Sequence, residues 1–212
     1  MEKIKTYDNL KKIIQKSYEW RHRDLSNSTE LEIKINFFSK FNFILLSISI
    51  LLSCYLKEIS DDLVNAILTF TSIFATLIIP VLILVYDKFC KNPNSHLTDL
   101  QSKSEGALER YKLHKNFTNR YIFVTLENII ISILIIILIL IYKSFLTNYL
   151  SVDVMDYKFV KCNYESVIQF SQLFVIMSFK TFFAIFVIKF IYFLFFSIGA
   201  IGDFFISVLN EQ

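Results

Sequence analysis

Residues 63 to 86 run for 24 positions without an Asp, Glu, Lys or Arg. Wound as an α-helix rising about 1.5 Å per residue, such a run covers about 36 Å, more than the roughly 30 Å hydrocarbon core of a bilayer. A water-soluble domain spaces its apolar residues to make half-buried faces, whereas here they are gathered into long blocks. The chain has 212 residues, 54% of them hydrophobic and 17% aromatic, with 3 Gly, 2 Pro and 3 Cys. That composition excludes a disordered tail, a collagen-like or linker-dominated protein and a small disulfide scaffold. The expected fold is an all-α polytopic membrane protein.

Four blocks are long enough to be spans. The first runs from Phe37 to Tyr55 and is free of charge from Phe41 to Leu56, with Lys40 near its start. Leu63 to Tyr86 follows after the short connection 57–62, so the two should return as an antiparallel hairpin over 37–86. A third block, Tyr121 to Tyr142, carries the single charge Glu127. The fourth, Ser166 to Phe205, would make about 60 Å of helix, twice the core thickness. Lys180, Lys189 and Asp203 interrupt it. One straight span does not use it all, so 190–209 is expected to form an interfacial or re-entrant helix. The organisation read from the sequence is a cytoplasmic basic helical segment at 1–36, a first hairpin at 37–86, a cytoplasmic helical connection at 87–121, and a second hairpin at 122–212 with an outer loop at 143–165.

Orientation follows from the basic residues. Eight Lys or Arg precede Asn36 and seven lie between Asp87 and Tyr121, against one between the first two blocks and three between Lys143 and Glu165. Basic connections stay in the cytoplasm. The expectation is a multi-pass protein of the cell inner membrane with both termini cytoplasmic. The first block begins only after 36 largely polar residues, unlike a removable signal peptide, so the N-terminal segment is expected in the mature protein. A net charge of +3 is a by-product of this bias and gives no reason to expect a nucleic-acid partner.

The cytoplasmic segments have patterns of their own. Leu10, Ile13, Ile14 and Tyr18 recur at near-helical spacing among Lys11, Lys12, Lys16, Arg21 and Arg23, which reads as an amphipathic helix over about Tyr7 to Arg23. Asp24, Ser26, Asn27 and Ser28 should break it. Asn92, Pro93, Asn94 and Ser95 read as a turn, and a second helix is expected from about Leu97 toward Arg120.

No catalytic constellation stands out. The sequence has no glycine-rich phosphate loop and no nucleophile in a recognised motif; His22, His96 and His114 are isolated from one another. The expectation is a protein that is not an enzyme and holds no metal or cofactor. Cys54 and Cys162 fall on the outer side, where they are either two separate thiols or a bridge. Cys90 falls on the other.

Polar residues inside the blocks carry more information. Asn65, Thr69, Ser72 and Thr76 are spaced by 4, 3 and 4, with Pro80 four residues on as a candidate hinge. No other span shows so regular a pattern at first reading. Such a stripe either packs against neighbouring helices or lines a water-filled path. Asn42, Ser49 and Ser53 make a sparser stripe on the first span, so the hairpin is expected to present two polar faces to one axis in an oligomer. Charges within spans cost about 2.5–3.5 kcal/mol at the centre on insertion scales, which makes Glu127, Lys180 and Lys189 pointers to a role. A Glu127–Lys189 pair near the inner surface is expected. Lys180, set deeper, needs a partner, an aqueous cavity or a snorkelling route.

The order of parts is a basic helix containing Trp20, Arg21, His22 and Arg23, a tight two-span hairpin, then a cytoplasmic helix from Leu97 to Phe117. It resembles the SLATT families, two-span proteins associated with bacterial nucleotide-signalling and other defence systems and regarded as membrane-disrupting effectors. The resemblance is one of architecture and covers about half of the chain, residues 5–120. The third and fourth spans depart from it, and in that respect the chain is similar to four-span membrane components of other phage-defence systems, such as the Kiwa membrane subunit. What the resemblance implies is a homo-oligomeric pore or membrane-perturbing effector of a defence system, controlled through its cytoplasmic helices. Its partners would be the lipid bilayer, further copies of itself and a soluble cytoplasmic protein. A non-conducting sensor or scaffold that recruits such a protein is the alternative, with a small transporter as a third reading.

Overall fold

A computed structural model describes residues 2–22, 39–56, 59–89, 105–146 and 164–209. Every regular element among them is helical: α1 (Glu2–His22), α2 (Lys40–Tyr55), α3 (Asp61–Phe89), α4 (Glu105–Ile141), which runs into a π-helical turn at Tyr142–Leu146, and α5 (Tyr164–Leu209). Three helices are long and apolar enough to cross a membrane, through Asp61–Ile83, Lys115–Ser144 and Val167–Gly199. The fourth apolar helix, α2, has 16 residues. At about 1.5 Å per residue it measures about 24 Å, short of the roughly 30 Å core.

Capping chemistry sets where the first two apolar helices begin. Ser39 Oγ accepts a hydrogen bond from the Asn42 N–H at 3.3 Å, so α2 starts at Lys40 and not at Phe37. At the start of α3, Ser60 Oγ accepts from the Leu63 N–H at 3.2 Å, and Asp61 and Asp62 place negative charge at the positive end of the helix dipole. Pro80 lies inside α3 without ending it.

Two boundaries differ from the sequence reading. The cytoplasmic helix and the third span are one 37-residue helix, α4. Between Ala107 and Ile141 there is no Gly or Pro to stop the ladder once it has started. The expected separate helix at 190–209 is likewise absent, because α5 continues through it for 46 residues in all. Gly199 and Gly202 do not interrupt α5, and a Cβ added at either meets nothing within 4 Å. In apolar surroundings a helix keeps its backbone groups bonded to one another, so an isolated Gly gives no reason to break. The expected turn at Asn92 to Ser95, the break after Arg23 and most of the 143–165 loop lie outside the described residues.

The chain divides into two compact units. One comprises residues 1–35, 74–130 and 192–212, and is built from α1, the second half of α3, the first part of α4 and the end of α5. Its apolar core contains Trp20, Leu82, Tyr121, Val124 and Phe193. The other comprises residues 36–73 and 131–191, and is built from α2, the first half of α3, the rest of α4 and most of α5. Leu45, Val64, Ile135, Ile176, Phe183 and Phe190 are buried there.

Candidate functional site

The stripe that the sequence singled out lies on the outside of the chain. Asn65, Thr69, Ser72 and Thr76 all have exposed side chains, as does Pro80. The packing side of α3 is marked by Val64, Thr71 and Leu82. At 3.6 residues per turn the stripe sits roughly 110° around the helix from that line. Exposed apolar side chains flank it, among them Phe70, Ile73 and Leu77.

A second stripe, equally regular, was not recognised in the sequence and lies on the inside. Thr118, Tyr121, Thr125, Asn128 and Ser132 follow one another along α4 at spacings of 3, 4, 3 and 4, and all five are buried. Two signals for it are present in the sequence: the spacing, and Glu127 in its midst, since an ionisable residue in a span marks the side that faces protein or water. Thr125 Oγ1 lies 3.4 Å from Ser197 Oγ of α5, a hydroxyl pair within the first unit. Asn128 has no such neighbour, and neither end of its amide has a hydrogen-bond partner.

Beside this stripe α1 is locked to the rest of its unit. The Arg21 guanidinium lies 3.2 Å from Glu127 Oε2, and both side chains are largely buried. Oε2 nevertheless counts among the buried atoms without a hydrogen bond, so the contact is a close ion pair without hydrogen-bond alignment. The guanidinium carbon stands 4.4 Å from the centre of the Phe193 ring, cation over π face. Arg120 completes the lock, donating from its Nη2 to the Arg21 carbonyl at 3.3 Å and stacking 4.5 Å over the Phe196 ring. Burial pulls the Arg21 pKa below its ordinary value, against the opposing pull of Glu127, Tyr192 and Tyr18. Arginine is the residue that keeps its charge under such conditions. The sequence points to Lys189 as a partner for Glu127; within its own unit Glu127 meets Arg21, on a helix that no spacing rule could connect to it. Lys189 is half-buried on α5.

In the second unit the sparser stripe of α2 faces inward. Leu45, Ser49 and Ser53 are its buried residues, spaced by four. Ser53 Oγ donates to the Ser49 carbonyl at 2.7 Å and accepts from Thr181 Oγ1 of α5 at 3.1 Å. Asn42, near the start of α2, is half-buried. The two stripes of the hairpin therefore do not share one exposed face. Ser53 packs against α5 within the chain, and Ser49, one turn before it, is buried as well.

Lys180 is 2% exposed, and its Nζ donates to the Leu56 carbonyl at 2.8 Å. Leu56 is the C-cap of α2, so the ammonium sits at the negative end of a helix dipole. Of the options for this residue, the structure supplies a partner. Three residues after Leu56, the Ile59 carbonyl accepts from Tyr142 Oη at 3.0 Å, and the Tyr142 ring stacks on Phe179 at 6.0 Å between centres, which ties the α2–α3 connection to the π-helical turn and to α5.

His22 stacks on Tyr18 and its Nδ1 lies 2.9 Å from the Tyr18 carbonyl. Cys54 is half-buried at the end of α2, while Cys90 and Cys162 lie outside the described residues. Among the described residues no three His, Cys, Asp or Glu side chains come together as a metal-holding group. Compared with known protein families, with curated proteins and with solved structures, the chain matches none.

Proposed function

We propose that the chain is a four-span protein of the bacterial inner membrane, with its termini in the cytoplasm, that assembles with copies of itself into a pore or membrane-perturbing effector. One observation carries this reading: Asn65, Thr69, Ser72 and Thr76 stand together on the exposed side of a helix long and apolar enough to span. Polar side chains are costly against acyl chains, and a ring of such stripes from several copies would face either water or one another. A role in phage defence rests on the architectural resemblance to the SLATT families and is proposed on that ground. α1, locked into the core through Arg21 and reaching out through its earlier turns, is the element through which a cytoplasmic signal would act. The test is ion flux through liposomes containing the purified chain. Thr69→Leu with Thr76→Leu should cut flux at least tenfold while leaving insertion intact, and unchanged flux removes α3 as the pore wall.

A specific observation also favours a second reading, in which the protein recruits a soluble partner without conducting. Tyr7, Leu10 and Ile14 of α1 are exposed large hydrophobics, and Lys11 and Lys12 beside them are exposed as well. Leu10→Asp with Ile14→Asp should then abolish partner capture, and liposomes with the unsubstituted protein should show no leak.

A further inference from the structure

α1 has two uncharged faces where a helix packed on one side needs only one. Ser17 and Trp20 are buried and Ile13 is half-buried, which marks the side turned toward the rest of the unit. Tyr7, Leu10 and Ile14 form a second line at spacings of 3 and 4, and all three are exposed. At about 100° per residue the two lines stand about a quarter turn apart. Asp8, Lys12 and Gln15, exposed as well, run along the helix about 140° from each. The helix is three-sided, with one side for protein, one apolar and open, and one polar. Standing clear in water it would need a single apolar side, toward what it packs on. A second apolar side signals a second apolar surrounding.

The anchoring of α1 says which. Arg21 lies 3.2 Å from Glu127 Oε2 and 4.4 Å from the centre of the Phe193 ring, and its carbonyl accepts from Arg120 Nη2 at 3.3 Å. Arg120 is the last charge before the apolar run of α4, and Glu127 is two turns further in. The last turn of α1 is therefore held where α4 enters the bilayer, and Ile14 and Leu10 follow about 10 and 16 Å along its axis. The exposed line starts beside the headgroups, not out in solvent. Charge agrees with this placement: outside the Arg21 pair α1 has five Lys against three Asp or Glu, and Lys11 borders the exposed line. Apolar side chains with lysines beside them are the make of a helix that lies in an anionic interface, the lysine stems snorkelling to the headgroups.

We propose that the face of α1 bearing Tyr7, Leu10 and Ile14 rests on anionic phospholipid of the leaflet that α4 enters at Tyr121. This rests on the reading of α4 as a span. It also claims for lipid the face that the recruiting alternative gives to a protein, so the test separates the two. Trp20 is the chain's one tryptophan, which makes fluorescence a clean probe. The full chain carrying Trp20→Phe and Leu10→Trp is placed in nanodiscs of phosphatidylcholine with and without phosphatidylglycerol. Quenching is read from acyl chains brominated near their glycerol end and from iodide in the water.

The expected result is quenching by brominated lipid at least twofold stronger with phosphatidylglycerol than without, and weaker quenching by iodide. Lys11→Glu with Lys12→Glu should remove the difference between the two kinds of disc. Quenching by iodide alone puts the face in water and overturns the proposal. Protection from both quenchers shows protein over it, whether a second copy or another segment, and overturns it too. Equal bromine quenching in both kinds of disc overturns the choice of anionic lipid. Ile133→Trp in the Trp20→Phe chain reads the span itself, since Ile133 is exposed on α4. Bromine quenching there and none at position 10 defeats this proposal alone; none at either defeats the reading of α4 as well. Should Trp20→Phe fail to fold, the same comparison is made with Trp20 kept, as the quenching that the second tryptophan adds.

Discussion

The stripes on α3 and α4 are built to the same rule and end in opposite places. Each repeats small or polar residues at intervals of three and four, each lies in a helix able to span, and neither contains a helix breaker apart from Pro80, which follows the first. Yet Asn65, Thr69, Ser72 and Thr76 are exposed, while Thr118, Tyr121, Thr125, Asn128 and Ser132 are buried. Spacing alone thus fixes that residues share a face and leaves open which way the face turns. In water the apolar side of a helix must turn inward; within a membrane the lipid is as apolar as the core, and that rule loses its force. What separates the two stripes is the charge beside one of them. Glu127 needs a counter-charge, Arg21 supplies it, and the helix is turned so that the pair and the polar residues near it are enclosed.

If this contrast is right, substitutions on α4 should damage the single chain and substitutions on α3 should spare it. The largest effect is expected from Glu127→Ala, which strands the Arg21 charge in a buried site and should cost about 3–5 kcal/mol. Thermal melting in detergent would show it, together with faster proteolysis of α1. Replacing both partners, Arg21→Met with Glu127→Met, should cost less than Glu127→Ala alone, because no charge is left uncompensated. Next in size, Thr125→Val leaves Ser197 without its partner at nearly constant volume and should lower stability by about 1 kcal/mol. A similar loss, about 1 kcal/mol, is expected from Tyr142→Phe, which removes the bond to the Ile59 carbonyl. Smallest should be Thr69→Leu with Thr76→Leu, within about 0.5 kcal/mol for the detergent-dispersed monomer. A loss as large as that of Thr125→Val would mean that the α3 stripe packs within the chain, and the contrast would fail.

Much of the fold could be read in the sequence, for reasons these helices make plain. Charge-free length marks a helix that can span, whereas the caps Ser39 and Ser60 that begin α2 and α3 went unread, and the first block was begun at Phe37. Helix ends were harder to read. Arg120 and the charges before it suggested a stop where α4 continues, and a block of about 60 Å, too long for one straight span, suggested a break where α5 continues. Both inferences treated a change of solvent as a change of structure, although a helix crosses from water into lipid without altering its backbone bonds. The Arg21–Glu127 lock was out of reach because it joins residues more than a hundred positions apart. Tertiary pairing of that kind leaves a trace at each end, a charge in a span and an arginine in an amphipathic helix, but no link between them.

α5 has one more consequence. Its 46 residues are continuously helical, and a helical path of about 69 Å exceeds the roughly 40–45 Å of a bilayer with its headgroups. Near its N-terminal end the helix bears Val167, Phe170, Phe174 and Val175, all widely exposed. A mast so greasy calls for a companion surface to shelter whatever part of it the lipids leave bare.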